Sequence, residues 1–305
     1  MTAFLQALAS GLALGAIYGL IALGFNITYA TTKTFNFGQG AMLVPGSLVG
    51  VSLLLLSVGK PHFGNLTPAE MTPLAYTLAT FASVVVVGLI GIALYYCAVK
   101  PFVGAGGLNW VLSTIGFGII LQNTALAIWG PASIAVPSPL GGSVVRIWGA
   151  GIRPQEILIA VVAIVVMVGL DVVLRKTRLG KALRAVAFSP QAAAIVGINV
   201  ESIVIIAFVI SSALAGLAGI LIAPITTASV YIGMGIALKA FSAAIVGGLT
   251  NPRGCMAGGF MLGVLEAMVG LWRAEMREIA IFLLIIVVLV FRPAGLFGKR
   301  VVEKI

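Results

Sequence analysis

Nine apolar runs, separated by short polar loops, form the basic pattern of this chain. They cover residues 3–30, 35–58, 74–99, 111–129, 157–174, 203–223, 236–249, 254–271 and 279–291. A helix needs roughly 20 apolar residues to cross the hydrocarbon core of a bilayer. The longer runs therefore predict transmembrane helices, and the shorter runs predict re-entrant or broken helices. We expect an all-α polytopic membrane protein with about eight to nine transmembrane segments, in a single domain over residues 1–305.

The composition agrees with this pattern. Of the 305 residues, 61% are hydrophobic and only 9% are charged, whereas soluble domains carry roughly 25% charged residues. The net charge of +10 would also suit a nucleic-acid-binding protein, but the basic residues lie between or beside the apolar runs. Because cytoplasmic loops of membrane proteins concentrate Lys and Arg, membrane topology explains the charge better.

The most polar interruption of the apolar pattern lies at residues 175–201. It contains five of the chain's 18 Lys and Arg residues: Arg175, Lys176, Arg178, Lys181 and Arg184. A short helix over 190–196 is predicted next, because Ser189 suits an N-cap, Pro190 suits the first helical position and Gly197 suits the left-handed residue that ends a helix. The alanines of this helix are small enough for another protein to lie close. We interpret the loop as a cytoplasmic docking surface; the alternative is an ordinary solvated loop.

If this loop is cytoplasmic, strict alternation of the nine segments fixes the side of every other loop. It places the loops at 61–73 and 131–153 and the N-terminus outside. It places these basic residues inside: Lys33, Lys100, Arg253, Lys299, Arg300 and Lys304. The excess of positive charge inside is imperfect, because Lys60, Arg146 and Arg153 fall on the outer side.

Small residues recur at four-residue intervals in two of the runs. Gly11, Gly15 and Gly19 follow one another in the first run, and the pairs Gly254/Gly258 and Gly259/Gly263 repeat the spacing in the eighth. Such stripes let helix backbones approach closely in lipid. We expect packing between helices of this chain; a subunit interface or a gliding surface is the alternative.

Polar residues inside an apolar run are costly unless they are paired or face a cavity. Asn36 and Gln39 belong to the stretch NFGQG, whose two glycines and two amides make a poor start for a regular helix. The stretch predicts a broken helix beside a translocation pathway, or else a tight cytoplasmic turn. Gln122 and Asn123 lie side by side in the fourth run, where interhelical hydrogen bonding and substrate contact are both open.

Two charges stand well inside the later runs. By the alternation, Lys239 and Glu266 both lie toward the outer side at similar depth, so we expect them to form an ion pair. The alternative for Lys239 is that its ammonium snorkels to the interface. Asp171 and Arg175 are spaced i,i+4 and predict a local ion pair at the inner boundary.

Catalytic constellations are absent from the sequence. The single histidine, His62, excludes a His-based triad and a multi-His metal site. Nothing supplies the G-x-x-x-x-G-K-[ST] pattern of a phosphate-binding loop. We therefore expect a protein that is not an enzyme, with no catalytic residue, metal ligand or ATP site of its own.

Four motifs occur in a fixed order along the chain: NFGQGAML, TRLGKALRAVAFSPQAAAIVGIN, LKAFSAAIVGGLTNPRGCMAGGFMLGVLEA and FRPAGLFG. Together they resemble the permease subunits of bacterial ABC importers for branched-chain amino acids, of the LivH type. The similarity extends from the first apolar run to Gly298. It implies a multi-pass permease domain in the bacterial inner membrane that moves branched-chain or related hydrophobic amino acids.

The resemblance also implies partners. These are a second, homologous permease subunit in a heterodimer, two cytoplasmic ATPase subunits that bind ATP and Mg²⁺, and a substrate-binding protein outside; this chain itself would hold no cofactor. In such importers the loop matching 178–199 contacts an ATPase, so 175–201 is expected to be a coupling loop. Its candidate coupling residues are Arg178, Gly180, Arg184, Ser189, Pro190, Ala192, Ala193 and Gly197. Many relatives carry an acidic residue beside the proline where this chain has Phe188-Ser189-Pro190-Gln191.

Other interpretations stay open. A similar importer for urea, short amides or aromatic acids is excluded by no residue. A stand-alone secondary transporter would be expected to carry coupling carboxylates in mid-membrane, where Glu266 is the chief candidate. A membrane enzyme acting on lipid would need the His, Cys or paired-carboxylate clusters that the sequence lacks. The candidate pathway residues are Asn36, Gln39, Gln122, Asn123, Lys239 and Glu266.

Overall fold

A computed structural model describes residues 2–61, 64–102, 109–147 and 149–298. His62 and the basic residues at 299, 300 and 304 lie outside the described residues. The described chain forms these α-helices: α1 Thr2–Thr32, α2 Leu43–Ser57, α3 Pro73–Leu94, α4 Asn109–Trp129, α5 Pro154–Lys176, α6 Arg178–Phe188, α7 Pro190–Ile195, α8 Val200–Thr226, α9 Ile232–Gly247, α10 Pro252–Trp272 and α11 Met276–Phe291. Three short 3₁₀ turns (Phe37–Gln39, Pro68–Glu70, Lys100–Phe102) and a π-helical turn (Tyr95–Val99) accompany them.

The predicted all-α polytopic architecture is confirmed. Within the described residues, seven helical stretches are long and apolar enough to cross a membrane: Thr2–Thr32, Phe37–Ser57, Pro73–Phe102, Asn109–Trp129, Pro154–Lys176, Val200–Thr226 and Pro252–Trp272. The shorter α9 and the 16-residue α11 account for the two remaining apolar runs. The second run is broken as expected: after Lys33, which takes a left-handed φ of 57°, the chain forms a 3₁₀ turn before α2 begins.

Local sequence explains where many helices begin. Proline occupies one of the first two positions of α3, α5, α7 and α10, where its missing N–H costs no hydrogen bond. The side chains of Thr72, Ser189, Asn199 and Asn251 cap the first turns of α3, α7, α8 and α10.

The centre of the bundle is α1, which is apolar on all sides and buried along most of its length from Gly11 onward. Helix α10 runs antiparallel along it. A Cβ on Gly15 would lie 2.7 Å from the Cα of Phe260, and a Cβ on Gly11 would lie 2.9 Å from the Cα of Val264. The expected packing of the glycine stripes within one chain is therefore confirmed at this contact, which we call the α1–α10 seam.

The polar loops divide between the two ends of the bundle as the alternation predicts. Lys100 pairs with Glu201 at 2.7 Å, and Arg253 pairs with Asp171 at 2.8 Å, so the basic loop shares one end with both of these predicted inner residues. We call this the inner end. At the opposite, outer end, residues 134 and 228 form an isolated β-bridge. There β1 (Val145–Ile147) also pairs antiparallel with β2 (Ala150–Ile152), in the register Val145↔Ile152, Arg146↔Gly151 and Ile147↔Ala150.

The C-terminal motif FRPAGLFG forms a turn across the inner end of α9. The N–H of Leu296 donates to the carbonyl of Val246 at 2.8 Å, and the N–H of Phe297 donates to the carbonyl of Gly247 at 3.3 Å. The amide of Asn251 donates to the carbonyl of Phe297 at 3.1 Å. This C-terminal turn thus satisfies carbonyls that the end of a helix leaves without partners.

Candidate functional site

A cavity of about 300 Å³ lies among α1, α2, α4 and α9; we call it the middle cavity. Its lining is Phe25, Phe37, Gly40, Ala41, Val44, Ile115, Gly118, Ile119, Gln122, Val230, Gly233, Met234, Ala237, Leu238 and Phe241. None of these described lining residues carries a charge. The middle cavity therefore suits an apolar group, with one side-chain amide on its wall.

Gln122 is the polar side chain of that wall, near the outer end of the cavity. Its Nε2 donates to the carbonyl of Val230 at 3.1 Å, which ties α4 to the chain entering α9. Asn123 next to it points away: its Nδ2 donates to the carbonyl of Ile119 in the same helix at 2.8 Å, and its side chain is exposed on the outside of the bundle. Of this predicted pair, only Gln122 lines the cavity.

An aromatic cluster bounds the inner end of the middle cavity. The ring centroid of Phe241 lies 5.4 Å from that of Phe25, 5.2 Å from that of Phe35 and 5.4 Å from that of Phe37. Tyr29 stacks on Phe35 at 5.0 Å. Edge-to-face and offset contacts of this kind are favourable for aromatic rings. The cluster joins α1, the broken turn and α9.

The two amides of NFGQG face the protein interior. The Oδ1 of Asn36 accepts from the N–H of Gly38 at 3.1 Å and holds the 3₁₀ turn. The Nε2 of Gln39 donates to the carbonyl of Ser211 at 2.8 Å, and its Oε1 accepts from the hydroxyl of Ser211 at 2.6 Å. Both side chains are buried. The structure thus places them as ties that fix the bend, and leaves Phe37, Gly40 and Ala41 to line the cavity.

The predicted ion pair of the later runs is confirmed. The Nζ of Lys239 lies 2.6 Å from Oε1 of Glu266, and only 17% and 7% of the two side chains are exposed. The hydroxyl of Tyr18 donates to Oε2 of the same carboxylate at 2.7 Å. The three groups join α1, α9 and α10, and Lys239 does not snorkel. Because Tyr18 lies near the midpoint of α1 (Thr2–Thr32), the pair is nearer the middle of the bundle than we expected.

Glu156, in the first turn of α5, carries a second buried carboxylate, which contacts α1 at Ser10. Oε1 of Glu156 accepts from the hydroxyl of Ser10 at 2.8 Å. Its other oxygen is buried without a hydrogen-bond partner in the described chain. Sequence analysis missed Glu156, although its place directly after Pro154 and Gln155 marks a helix start.

The loop at 175–201 folds into α6 and α7. Thr177 caps α6, and its hydroxyl accepts from the N–H of Gly180 at 3.2 Å. Ser189 caps α7, and its hydroxyl accepts from the N–H of Ala192 at 3.2 Å. Both caps replace hydrogen bonds that a helix start lacks. The Asp171–Arg175 pair predicted beside the loop is confirmed at 3.0 Å, with Arg253 as a second partner.

Helix α7 ends one residue earlier than predicted, at Ile195. Gly197 takes a φ of +85°. Its N–H donates to the carbonyl of Ala194, and the N–H of Ile198 donates to the carbonyl of Ala193, both at 3.0 Å. This is the Schellman pattern, in which the last carbonyls bond across a left-handed residue. It makes Val196 the C-cap of α7.

The side chains at the two ends of α7 form an apolar surface that is almost fully exposed. Phe188, Ile195 and Val196 are 92%, 86% and 73% exposed. Ala193 is buried against its own chain, whereas Pro190 and Ala192 are exposed. Ala193 therefore supports α7 from behind and does not contribute to its free surface.

The remaining candidate coupling residues lie on α6. Gly180 is buried, and a Cβ there would overlap the backbone of Leu174, so only glycine lets α6 fold back against the end of α5. Arg178 and Arg184 are exposed. Gly180 is thus a packing position, and the two arginines are surface groups.

Comparison with known proteins bears on this architecture. The family described as "Branched-chain amino acid transport system / permease component" matches residues 7–289. The chain belongs to this family. This permease is therefore a multi-pass inner-membrane protein of a transport family, not a member of an enzyme family.

Individual relatives cover nearly its whole length. The permease is 33% identical to the high-affinity branched-chain amino acid transport system permease protein BraD of Pseudomonas aeruginosa, over 99% of this chain and 98% of that one. It is 31% identical to LivH of Escherichia coli (strain K12), with the same coverage of each chain. A probable LivH of Methanocaldococcus jannaschii is 29% identical over 92% of this chain and 88% of that one. Among solved structures, this chain is 12% identical to PsaBC from Streptococcus pneumoniae in complex with Fab, over 93% of this chain and 90% of that one, with a TM-score of 0.43.

The described residues of the permease bring no three His, Cys, Asp or Glu side chains together in a way that could hold a metal ion. The groups that sequence reasoning missed are Tyr18, Glu156 and the phenylalanines of the cluster. Tyr18 could have been found as a hydroxyl-bearing residue inside an apolar run. The aromatic cluster could have been suspected from the phenylalanines in the NFGQG and LKAFSAA motifs.

Proposed function

We propose that this permease is the membrane-spanning subunit of a bacterial ABC importer, and that it moves branched-chain or related hydrophobic amino acids along a path that includes the middle cavity. Its partners would be a second, homologous permease subunit in a heterodimer, two cytoplasmic ATPases and a substrate-binding protein outside. ATP and Mg²⁺ would be held by the ATPases, and this chain would hold no cofactor.

The observation that carries the proposal is the exposed apolar surface of α7 at the inner end of the bundle. Three large apolar side chains at the two ends of α7, Phe188 before it and Ile195 and Val196 at its C-terminus, are costly in water, which makes them a fitting contact for another protein. Gly180 packs α6 tightly on the end of α5. A push on α7 would therefore reach the bundle through α6.

The lining of the middle cavity supports a hydrophobic cargo. Aliphatic, methionine and phenylalanine side chains surround it, and Gly40 and Gly233 let the broken turn and α9 pack closely at its edge. Urea, whose amides need several hydrogen bonds, would find few partners on this mostly apolar wall. An amino acid with an apolar side chain fits better, since its zwitterionic end needs only a few polar groups.

In the proposed cycle, the binding protein delivers the amino acid at the outer end. Closure of the ATPase pair then moves α7, and the two permease subunits change from outward-open to inward-open. The aromatic cluster stands between the middle cavity and the inner end, so its separation would release the substrate. Phe25, Phe37 and Phe241 come from three different segments, which lets relative motion of those segments open it.

A stand-alone secondary transporter is a poorer fit to the same geometry. Such a carrier needs a carboxylate that binds and releases a coupling ion. Both oxygens of Glu266 already have partners, Lys239 and Tyr18. Ser10 engages one oxygen of Glu156, outside the middle cavity.

The test is uptake of labelled leucine into proteoliposomes that hold the complete importer, with the binding protein outside and ATP inside. We expect Phe188→Ser to abolish ATP-driven uptake, because it removes an apolar docking side chain. Phe291→Ser is the matched control: Phe291 is 79% exposed at the inner end of α11 but outside the coupling loop. Equal uptake by both variants, or leucine uptake by the permease without ATPases, would contradict the proposal.

A further inference from the structure

A second cavity, of about 420 Å³, lies at the inner end of the bundle behind the coupling loop; we call it the inner cavity. The last turns of α1 and α5 form one side, α6 forms another, and the start of α10 closes it. Its volume falls within the range of small-molecule sites. A molecule bound there would touch both the bundle and the segment that leads into α7.

The polar wall of the inner cavity carries both signs of charge. Arg184 donates a long hydrogen bond of 3.4 Å to the backbone carbonyl of Arg175, which leaves most of its N–H donors available. Its side chain is exposed, so it can be reached from the cytoplasm. Asp171 lines the same cavity, where it accepts from Arg175 and Arg253.

Most of the remaining lining is apolar. Ile27 and Ala30 of α1, Leu174 of α5, and Leu183 and Ala187 of α6 form it. The inner cavity thus combines the guanidinium groups of Arg184 and Arg175, the arginine-paired carboxylate of Asp171 and aliphatic side chains. Arg184 suits the carboxylate of an amino acid with an apolar side chain, and the aliphatic lining suits its side chain. The side-chain oxygens of Asn26 and Thr31, which line the same cavity, can accept hydrogen bonds from its ammonium. The phosphate of an anionic lipid would also match Arg184, and leucine binding in nanodiscs without anionic lipid distinguishes the two ligands.

We propose that the inner cavity binds a free amino acid with an apolar side chain from the cytoplasm, and that the bound molecule restrains α6 and α7. The accumulated product of transport would then slow the importer through its own permease subunit. This inference rests on the proposed function for its cargo. It adds a binding site that is separate from the middle cavity and shares no lining residue with it.

Binding is measured with the full permease in nanodiscs of phosphatidylcholine, titrated with labelled leucine. We expect saturable binding that Arg184→Gln weakens about tenfold or more, as loss of a charge-assisted hydrogen bond does. Ala187→Trp should abolish binding by filling the cavity. Lys181→Gln, an exposed basic residue of the same helix that does not line the cavity, should leave the affinity unchanged. Ile119→Trp fills the middle cavity and reports any leucine bound there.

Three outcomes would overturn the inference. The first is that leucine does not bind. The second is that Ile119→Trp abolishes binding while Ala187→Trp does not, which would place the leucine in the middle cavity. The third is that Arg184→Gln changes only the retention of phosphatidylglycerol in mixed nanodiscs, which would make the ligand a lipid. In the complete importer, leucine inside the vesicles should slow uptake, and Ala187→Trp should relieve that inhibition. An importer that carries leucine without such inhibition refutes this inference alone, whereas one that carries no amino acid refutes the proposed function.

Discussion

The α1–α10 seam and the coupling loop use small residues for opposite purposes. In the seam, Gly11, Gly15 and Gly263 bring two backbones into contact, and no space remains for a Cβ. In the loop, no atom of the described residues lies within 4 Å of the place that a Cβ on Gly197 would take, and the left-handed φ of this residue serves to end α7. Close packing of two backbones thus characterises the seam, whereas an exposed surface characterises the loop. Changes in the seam should therefore reduce stability, and changes in the loop should reduce coupling.

The largest effect is expected at the ion pair beside the seam. Lys239→Met leaves the carboxylate of Glu266 buried with only the Tyr18 hydroxyl, and we expect a loss of about 3–5 kcal/mol in the free energy of unfolding. Thermal unfolding in detergent measures it. The double variant with Glu266→Leu, and the exchange of the two charges, should each recover most of the loss. A single variant as stable as the parent would show that the pair does not hold the seam.

A smaller loss is expected from adding atoms to the seam itself. Gly15→Val overpacks the contact with Phe260 and should cost about 2–3 kcal/mol. The matched control is Gly169→Val in α5, because nothing lies within 4 Å of a Cβ at Gly169. Unfolding of both is followed by the same thermal assay. If the two variants lose equal stability, helix propensity and not the seam explains the effect.

In the coupling loop we expect a local effect of about 1 kcal/mol. Ser189→Ala removes the hydroxyl that caps α7, so the amide of Ala192 should exchange its hydrogen several-fold faster while the melting temperature stays constant. Ser189→Asp keeps a capping oxygen and serves as the control. A drop in melting temperature would show that α7 contributes to the global stability of the bundle, and would contradict a purely local role of the cap.

The smallest effect concerns the outer end, where a hydrogen bond from the Lys60 ammonium, and then one from the Thr67 N–H, lower the pKa of Glu70 to about 2. Because the folded pKa lies below the unfolded value of about 4.3, the unfolded state binds more protons in between. The contribution of Glu70 to stability is thus present above pH 4.3 and is lost as the pH falls through about 2. Carbon-13 NMR of the carboxyl group measures this pKa. Lys60→Met should raise it toward the ordinary range, and an unchanged value would assign the whole shift to Thr67.

Sequence predicted the features that depend on composition and spacing. The nine apolar segments, the glycine stripes, the caps of α7 and the pairing of Lys239 with Glu266 all follow from residue type and position. Each depends on local rules or on the high cost of an unpaired charge in lipid. The break in the second segment was predictable for the same reason, since NFGQG cannot form a regular helix start.

Side-chain direction was the part that sequence could not supply. Gln39 and Gln122 are the same residue in similar apolar surroundings, yet Gln39 ties the 3₁₀ turn before α2 to Ser211 and Gln122 lines the middle cavity. The difference comes from the orientation of each segment against its neighbours, which long-range packing decides. The inner cavity could not be predicted from the sequence either, because its lining residues come from four helices, α1, α5, α6 and α10.

The C-terminal turn has a consequence for how the permease is made. Helix α9 carries Lys239 and one wall of the middle cavity, but the N–H groups that satisfy its last carbonyls belong to Leu296 and Phe297. During synthesis these residues leave the ribosome after α10 and α11, so α9 stays incompletely bonded until then. A nascent chain that stops before this turn would leave the carbonyls of Val246 and Gly247 without these partners at the membrane interface.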